Sequence, residues 1–188
     1  MAGDAEATRR RLLDAAAAEF AEYGIAGARV DRIAANAKSN KAQIYHYFTS
    51  KDGLFDAVLR ELAEGFLRDS PIDGSDLPGY AGRLFDQFAD STTAARLATW
   101  YRLERAAIGP TLDLVMDGTN AKVEAVAQAQ RDGIIPDRFE PAALLALVVH
   151  LSTLWHNTTP DVAALTASLS REQQRRVVTD AVAALIRD

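Results

Sequence analysis

Cysteine is absent from the 188-residue chain. That excludes disulfides, zinc–thiolate sites and cysteine nucleophiles, and it suits a reducing compartment. Histidine is scarce: His46, His150 and His156 stand at no spacing that matches carboxylates for a metal site, so no metal is expected. Six prolines and eleven glycines are too few for a linker-rich or collagen-like chain. A Gly-rich phosphate loop, a Gly-x-Ser-x-Gly elbow and a His-Glu-x-x-His pair are all missing, so neither a catalytic residue nor a cofactor is expected. The most apolar stretch, Ala142 to Trp155, is too short to span a bilayer and carries His150, Ser152 and Thr153. No apolar core precedes a cleavage site near the N-terminus. The expectation is a cytoplasmic protein with no membrane partner. Alternating strand patterns and Asn-Gly hairpins are not found either.

What remains is helical. Hydrophobic residues make up 48% and charged residues 25%, an ordinary globular balance. Leu13, Ala16, Ala17 and Phe20 fall at i, i+3, i+4, i+7, and Gly24 offers a stop. Val30, Ile33, Ala34 and Ala37 repeat that spacing in a second, short helix. A third covers about Lys41–Tyr47 and buries Ile44 and Phe48. Ser50 is placed to cap a fourth, with Leu54, Phe55, Val58, Leu59, Leu62 and Phe66 along its buried side. The stretch Asp69–Gly79 is rich in Pro, Gly, Ser and Asp and reads as a loop. Further helices are expected over roughly Pro78–Asp90, Thr93–Ile108, Pro110–Arg131, Pro141–Trp155 and Arg171–Arg187. Pro110 and Pro141 suit first helical positions, and Ser170 with Gln173 forms a capping-box pattern. The predicted fold class is all-α, with about nine helices.

The net charge of −5 argues against a simple nucleic-acid binder, but its distribution does not. Residues 1–60 carry 9 Lys and Arg against 8 Asp and Glu, a net +1, so the acidity lies in the rest of the chain. Within that first third, a short helix over Asp31–Ala37, the tripeptide Lys38-Ser39-Asn40 and another short helix have helix-turn-helix spacing. In such a unit the second helix enters the major groove, where every base pair shows a distinct donor and acceptor pattern. Lys41 suits guanine acceptors or a phosphate, Gln43 suits adenine, and Ala42 permits close approach to a thymine methyl. Tyr45, His46 and Tyr47 offer hydrogen bonds to phosphates. Lys51 stands at the next helix start, where free N–H groups favour a phosphate. Arg9, Arg10 and Arg11 read as opening the first helix, against its dipole, which a nearby phosphate would explain.

The order of residues in "IAANAKSNKAQIYHYFTSKDGLFDAVL", Ile33–Leu59, closely resembles the signature of the TetR family of bacterial transcriptional regulators. The matching residues are Ile33-Ala34, Tyr45 with Phe48, and Ser50-Lys51 with Leu54-Phe55. The resemblance covers about residues 8–60. It implies a homodimer with a DNA-binding head over residues 1–50 and a larger ligand-binding and dimerisation region over 51–188. It also implies a palindromic double-stranded operator, a small-molecule effector and a repressor's action, with Lys41, Ala42, Gln43, Tyr45, His46, Tyr47 and Lys51 at DNA-contact positions; Arg9 is a further DNA-binding candidate on its charge alone. Two departures stand out. Lys38 and Ser39 occupy turn positions where the family usually has glycine and then an apolar residue. Ala28 or Arg29 stands where a threonine often caps the second helix.

Beyond residue 60 the residues speak alone. Leu97, Trp100, Tyr101, Glu104 and Ile108 share one helical face, so Glu104 would need a partner, with Arg102 and Arg105 nearby in sequence. Phe85, Phe88, Trp100, Tyr101, Glu104 and Met116 are the candidate pocket residues, aromatic walls with few polar groups. The helix Pro141–Trp155 is apolar nearly all round and the last helix has an apolar stripe, so the pair is expected to meet its copy. Leu147, His150, Leu151, Leu154, Val178, Val182 and Leu185 are the candidate dimer contacts. Two competing readings are a helical dimeric small-molecule-binding module that does not bind DNA, and an enzyme using Glu104 as acid or base.

Overall fold

The computed structural model describes residues 2–105 and 112–187. Among these, the chain forms ten α-helices, one 3-10 turn and no strand. The helices are α1 (Ala2–Gly27), α2 (Val30–Asn36), α3 (Lys41–Phe48), α4 (Lys51–Asp69), α5 (Leu77–Asp90), α6 (Thr92–Arg105), α7 (Asp113–Arg131), α8 (Pro141–Ser152), α9 (Pro160–Leu165) and α10 (Arg171–Leu185). The expected Ile108 and Pro110 lie outside the described residues, as does the side chain of Arg105. The helix missed in the sequence is α9. Its Val162 and Leu165 are exposed, so no buried stripe advertises it. The apolar run after Pro141 ends its α-helix early. The Ser152 hydroxyl donates to Val148 O (2.8 Å), and Leu154–His156 tighten into the 3-10 turn.

The chain divides into two compact units, residues 1–65 with 92–115 and residues 66–91 with 116–188. The first unit packs α1, α2, α3, the first part of α4, and α6 around Leu12, Phe20, Ile33, Ile44, Leu54 and Phe55, all fully buried. Phe20 and Phe55 meet edge to face at 5.0 Å, a favoured aromatic arrangement.

A break in α1 shapes this unit. Gly24 has φ 68° and ψ −179°, a conformation open essentially only to glycine. The break orphans carbonyls on one side and N–H groups on the other. Side chains spaced one turn apart on α6 satisfy both. Trp100 Nε1 donates to Ala21 O (3.2 Å), and Arg96 donates to the carbonyls of Ala21 and Glu22. Glu104 accepts from the N–H groups of Ile25 (3.0 Å) and Ala26 (3.2 Å). The partner that Glu104 requires is therefore main chain, from a residue about 80 positions away.

In the second unit, α5 packs against α8 and α10. Asp76 caps α5 by accepting from Gly79 N–H, and the capping box of Ser170 and Gln173 opens α10. Leu77, Tyr80, Leu84, Val126, Leu144, Val148, Val178 and Val182 form the core. This corrects the expectation for α10: Val178 and Val182 are fully buried in their own subunit and cannot meet a copy. Leu151 and Leu185 also pack against this core. Large apolar residues left exposed near these two helices include Leu147 on α8, Leu154 in the 3-10 turn that follows and Val177 on α10, with His150 exposed one turn from Leu147.

Candidate nucleic-acid interface

The turn between α2 and α3 is closed by backbone alone. Ser39 N–H donates to Ala34 O (2.9 Å) and Lys38 N–H to Ala35 O (3.1 Å). This is a Schellman ending, whose left-handed position usually holds glycine. Lys38 sits there at φ 50°. The side chain of Asn40 then caps α3 by accepting from Gln43 N–H (3.0 Å). Lys38 thus carries the strain of the left-handed position while both closing hydrogen bonds form.

One face of α3 is anchored and the other is open. Ile44 is fully buried and Phe48 nearly so, while Lys41, Ala42, Tyr45 and His46 are exposed and Gln43 is half-buried. The joint to α4 is tight. Thr49 has φ 66° and Ser50 N–H reaches back to Phe48 O (2.7 Å), a strained γ-turn. Phe48 O also lies against Gly53, where an added Cβ would collide with it. Gly53 N–H donates to Ser50 Oγ (2.9 Å), the cap expected for α4. These contacts fix how α3 leaves the unit.

Several cations read as phosphate ligands hold protein atoms instead. Lys51 Nζ donates to the carbonyls of Ala26 (3.4 Å) and Ala28 (3.3 Å). The Tyr47 hydroxyl donates to Ala5 O (3.3 Å). Because α1 begins at Ala2, Arg9, Arg10 and Arg11 lie well inside it and do not open it. Arg9 rests over the Phe48 ring (5.8 Å) and pairs with Glu6 (3.9 Å), Arg10 pairs with Asp14 and Glu61, and Arg11 bonds Thr8 and Ala37 O. Lys41 pairs with Asp31 at 2.6 Å, which raises the affinity of its amine for its proton. Both partners are well exposed, so the pair is weak and readily exchanged for another anion.

A group that sequence reasoning missed supports the start of α2. No side chain of Arg29 caps that helix. The buried carboxylate of Glu19 accepts from Arg29 N–H (2.8 Å) and pairs with the Arg32 guanidinium (2.6 Å). Burial pushes the Glu19 carboxyl up, but these bonds outweigh it and hold it below the usual carboxylate range. A lone Glu among alanines carries no local signal of such a partner.

Two family descriptions match the chain: "Bacterial regulatory proteins, tetR family" over residues 12–58, and "Tetracyclin repressor-like, C-terminal domain" over residues 76–184. The chain belongs to the TetR family. It is a DNA-binding transcriptional regulator, and its α2–turn–α3 segment is the family's helix-turn-helix. Among its relatives is the HTH-type transcriptional repressor SCO4008 of Streptomyces coelicolor, 37% identical over 86% of this chain and 84% of that one. The crystal structure of the transcriptional regulator SCO4942, also from Streptomyces coelicolor, superposes with a TM-score of 0.84 at 36% identity, covering 95% of this chain and 97% of that one. AibR, solved with isovaleryl coenzyme A and operator DNA, shares the fold at 17% identity, with a TM-score of 0.70 over 93% and 97% of the two chains.

The candidate pocket residues of this TetR-family chain divide between the two units. Trp100 and Glu104 serve the α1 break, and Tyr101 packs beside the first core. In the second unit Phe85 is buried in the core, and Phe88 meets Phe66 at a tilt of 43°, 4.7 Å between centroids. Met116 is exposed. No group of His, Asp and Glu among the described residues is arranged to hold a metal ion, and no helix there is long and apolar enough to cross a membrane.

Proposed function

We propose that the chain is a homodimeric repressor that grips a palindromic operator with the exposed face of α3 and lets go when a small molecule occupies its C-terminal region. The DNA-binding head is assigned to residues 1–50 and the ligand-binding and dimerisation region to 51–188. The single observation that carries this reading is the two-sided character of α3. Its apolar side is buried in a rigid joint, and its other side offers Lys41, Ala42, Tyr45 and His46 to solvent with Gln43 at the edge. Lys41 and Gln43 are the base readers, Tyr45 and His46 reach backbone phosphates, and Ala42 admits a thymine methyl. Arg9, Tyr47 and Lys51 act chiefly by holding the head together, within reach of a phosphate. The naming of SCO4008 as a repressor supports the sign of the regulation. The AibR complex with an acyl-coenzyme A and operator DNA supports control by a small molecule.

Self-association falls to α8, the 3-10 turn after it and α10, through Leu147, His150, Leu154 and Val177. A two-fold dimer presents two recognition helices to half-sites about one helical turn apart, roughly 34–36 Å, or a multiple of it. The ligand acts by population shift, favouring a state in which both helices no longer meet successive grooves together.

The test is selection of bound duplexes from random sequence, followed by titration of the winner at several salt concentrations. A palindromic consensus and a steep negative log–log salt slope are expected. Lys41→Ala should lose roughly 1–3 kcal/mol of discrimination at one base pair per half-site, with unchanged circular dichroism. Binding without sequence preference overturns the reading.

A further inference from the structure

In the second unit, buried polar atoms without partners among the described residues lie along α5 and at Ser70, in the segment that leads into it. The Tyr80 side chain is fully buried, and its hydroxyl has no hydrogen-bond partner among the described residues. The same holds for Ser70 Oγ, in a residue 1% exposed, and for Arg83 Nε and Gln87 Oε1. Native proteins rarely leave such groups unmet, and each one calls for an explanation. Tyr80, Arg83 and Gln87 lie at i, i+3 and i+7, one stripe of α5. Arg83 Nη2 donates to Pro71 O (3.3 Å), which brings Ser70 alongside.

Across from Tyr80 stands Lys122, its ammonium 6.0 Å from the ring centroid. Lys122 shares a face of α7 with Val126 and Ala129, both buried, so it occupies the core-facing stripe where an apolar residue is expected. No carboxylate or carbonyl among the described residues pairs with it. Burial draws its amine below the usual lysine range. Burial also pushes the Tyr80 phenol up to about 12, so it stays a neutral donor. Arg83 differs, since Asp76 lies 3.6 Å from it and balances its charge.

We propose that Lys122, Tyr80, Arg83 and Ser70 anchor the carboxylate of a small organic monoanion, with Gln87 accepting from a donor elsewhere on the same molecule. The assignment rests on the reading of the chain as a ligand-controlled regulator, and it names the chemical class of the ligand. The cluster offers four kinds of donor, from ammonium, phenol, guanidinium and hydroxyl, against one group, the Gln87 oxygen, that can only accept. Its one uncompensated positive charge matches a monoanion and not a phosphate dianion. Charge-assisted bonds of this kind, formed away from water, are the strong ones.

The chain has four lysines, Lys38, Lys41, Lys51 and Lys122, so protein labelled with 13C at the lysine ε-carbon gives four signals. The Lys122→Met variant assigns one of them. Hexanoate and benzoate should move the Lys122 signal saturably, and hexanamide and benzamide should not. Tyr80→Phe should weaken carboxylate binding by roughly tenfold, and Lys122→Arg should keep part of it. Where Lys122→Met folds poorly, Lys122→Arg, which also removes that lysine signal, makes the assignment. Failure of both carboxylates to move the signal, or equal binding of the amides, overturns the proposal. Operator binding measured alongside separates the two readings. A carboxylate that binds at Lys122 and leaves operator affinity unchanged preserves the anion site and sinks ligand control. A compound that releases the operator with the same affinity in wild type and Lys122→Met sinks the anion site alone.

Discussion

Replacing Gly24 with alanine tests the α1 break by its sign. In a regular helix interior, glycine to alanine stabilises by roughly 0.5–1 kcal/mol. At φ 68° and ψ −179° the same change forces a side chain into a region that costs roughly 1–3 kcal/mol. The new Cβ would also lie 2.5 Å from Glu104 Oε1 and 2.9 Å from the Trp100 ring. Moving the carboxylate aside weakens its bonds to Ile25 and Ala26, a further loss of about 1–2 kcal/mol with part of the site open to solvent. The expected cost is about 2–5 kcal/mol, a large share of the roughly 5–15 kcal/mol that holds a domain folded. With a urea m-value of about 2–3 kcal/mol/M, the midpoint falls by about 1–2 M. Far-UV circular dichroism in urea measures it. In a Glu104→Ala background, the same substitution should cost about 1 kcal/mol less, because the carboxylate has already gone. A Gly24→Ala variant as stable as wild type, or more stable, refutes the break and the role given to α6.

Lys38→Gly should gain about 1 kcal/mol in a urea melt, since the left-handed position then carries no side chain; a loss would mean that the lysine holds the turn in another way. Glu19→Gln should cost about 1–3 kcal/mol at pH 7, allowing for the partial exposure of Arg32. The carboxyl of Glu19 titrates lower folded than unfolded, so its contribution is complete above about pH 4.3 and fades as pH falls through the folded value. The gap between the two melting curves should therefore narrow below about pH 4; a gap that widens there would contradict the assignment. Leu147→Asp should shift the mass seen by light scattering to that of one 20.4 kDa chain and weaken operator binding. An unchanged mass would remove α8 from the interface.

How much of this was readable before coordinates depends on how local each signal is. The capping box at Ser170 and Gln173, the Ser50 cap and the buried pair Ile44 and Phe48 arise within a few residues, and the structure has them. Lys38 stands where the family usually has glycine, and the structure gives it a positive φ. The stripe of α10 was visible too, but a stripe says only that a face is buried. It does not say whether Val178 and Val182 turn to their own core or to a copy. Partners distant in sequence were hidden. Nothing near Glu104 points to the main chain at Ile25, and nothing near Glu19 points to Arg29 and Arg32. Arg9 to Arg11 misled because the helix begins a full two turns before them. The aromatic residues named as pocket candidates divide between two packing units, a separation that periodicity cannot express.

Arg96, Trp100 and Glu104 address main-chain atoms that any residue at 21 and 22, and any but proline at 25 and 26, would supply. These hydrogen bonds read the backbone and depend on a glycine at 24, while the side chains of Ala21 and Ile25 serve the core and Glu22 adds an exposed ion pair to Arg96. Such a fitting lets the operator-reading part drift, or be exchanged for a relative's, without renegotiating its mount. New DNA preferences are then open to this lineage at the cost of changing the grip alone.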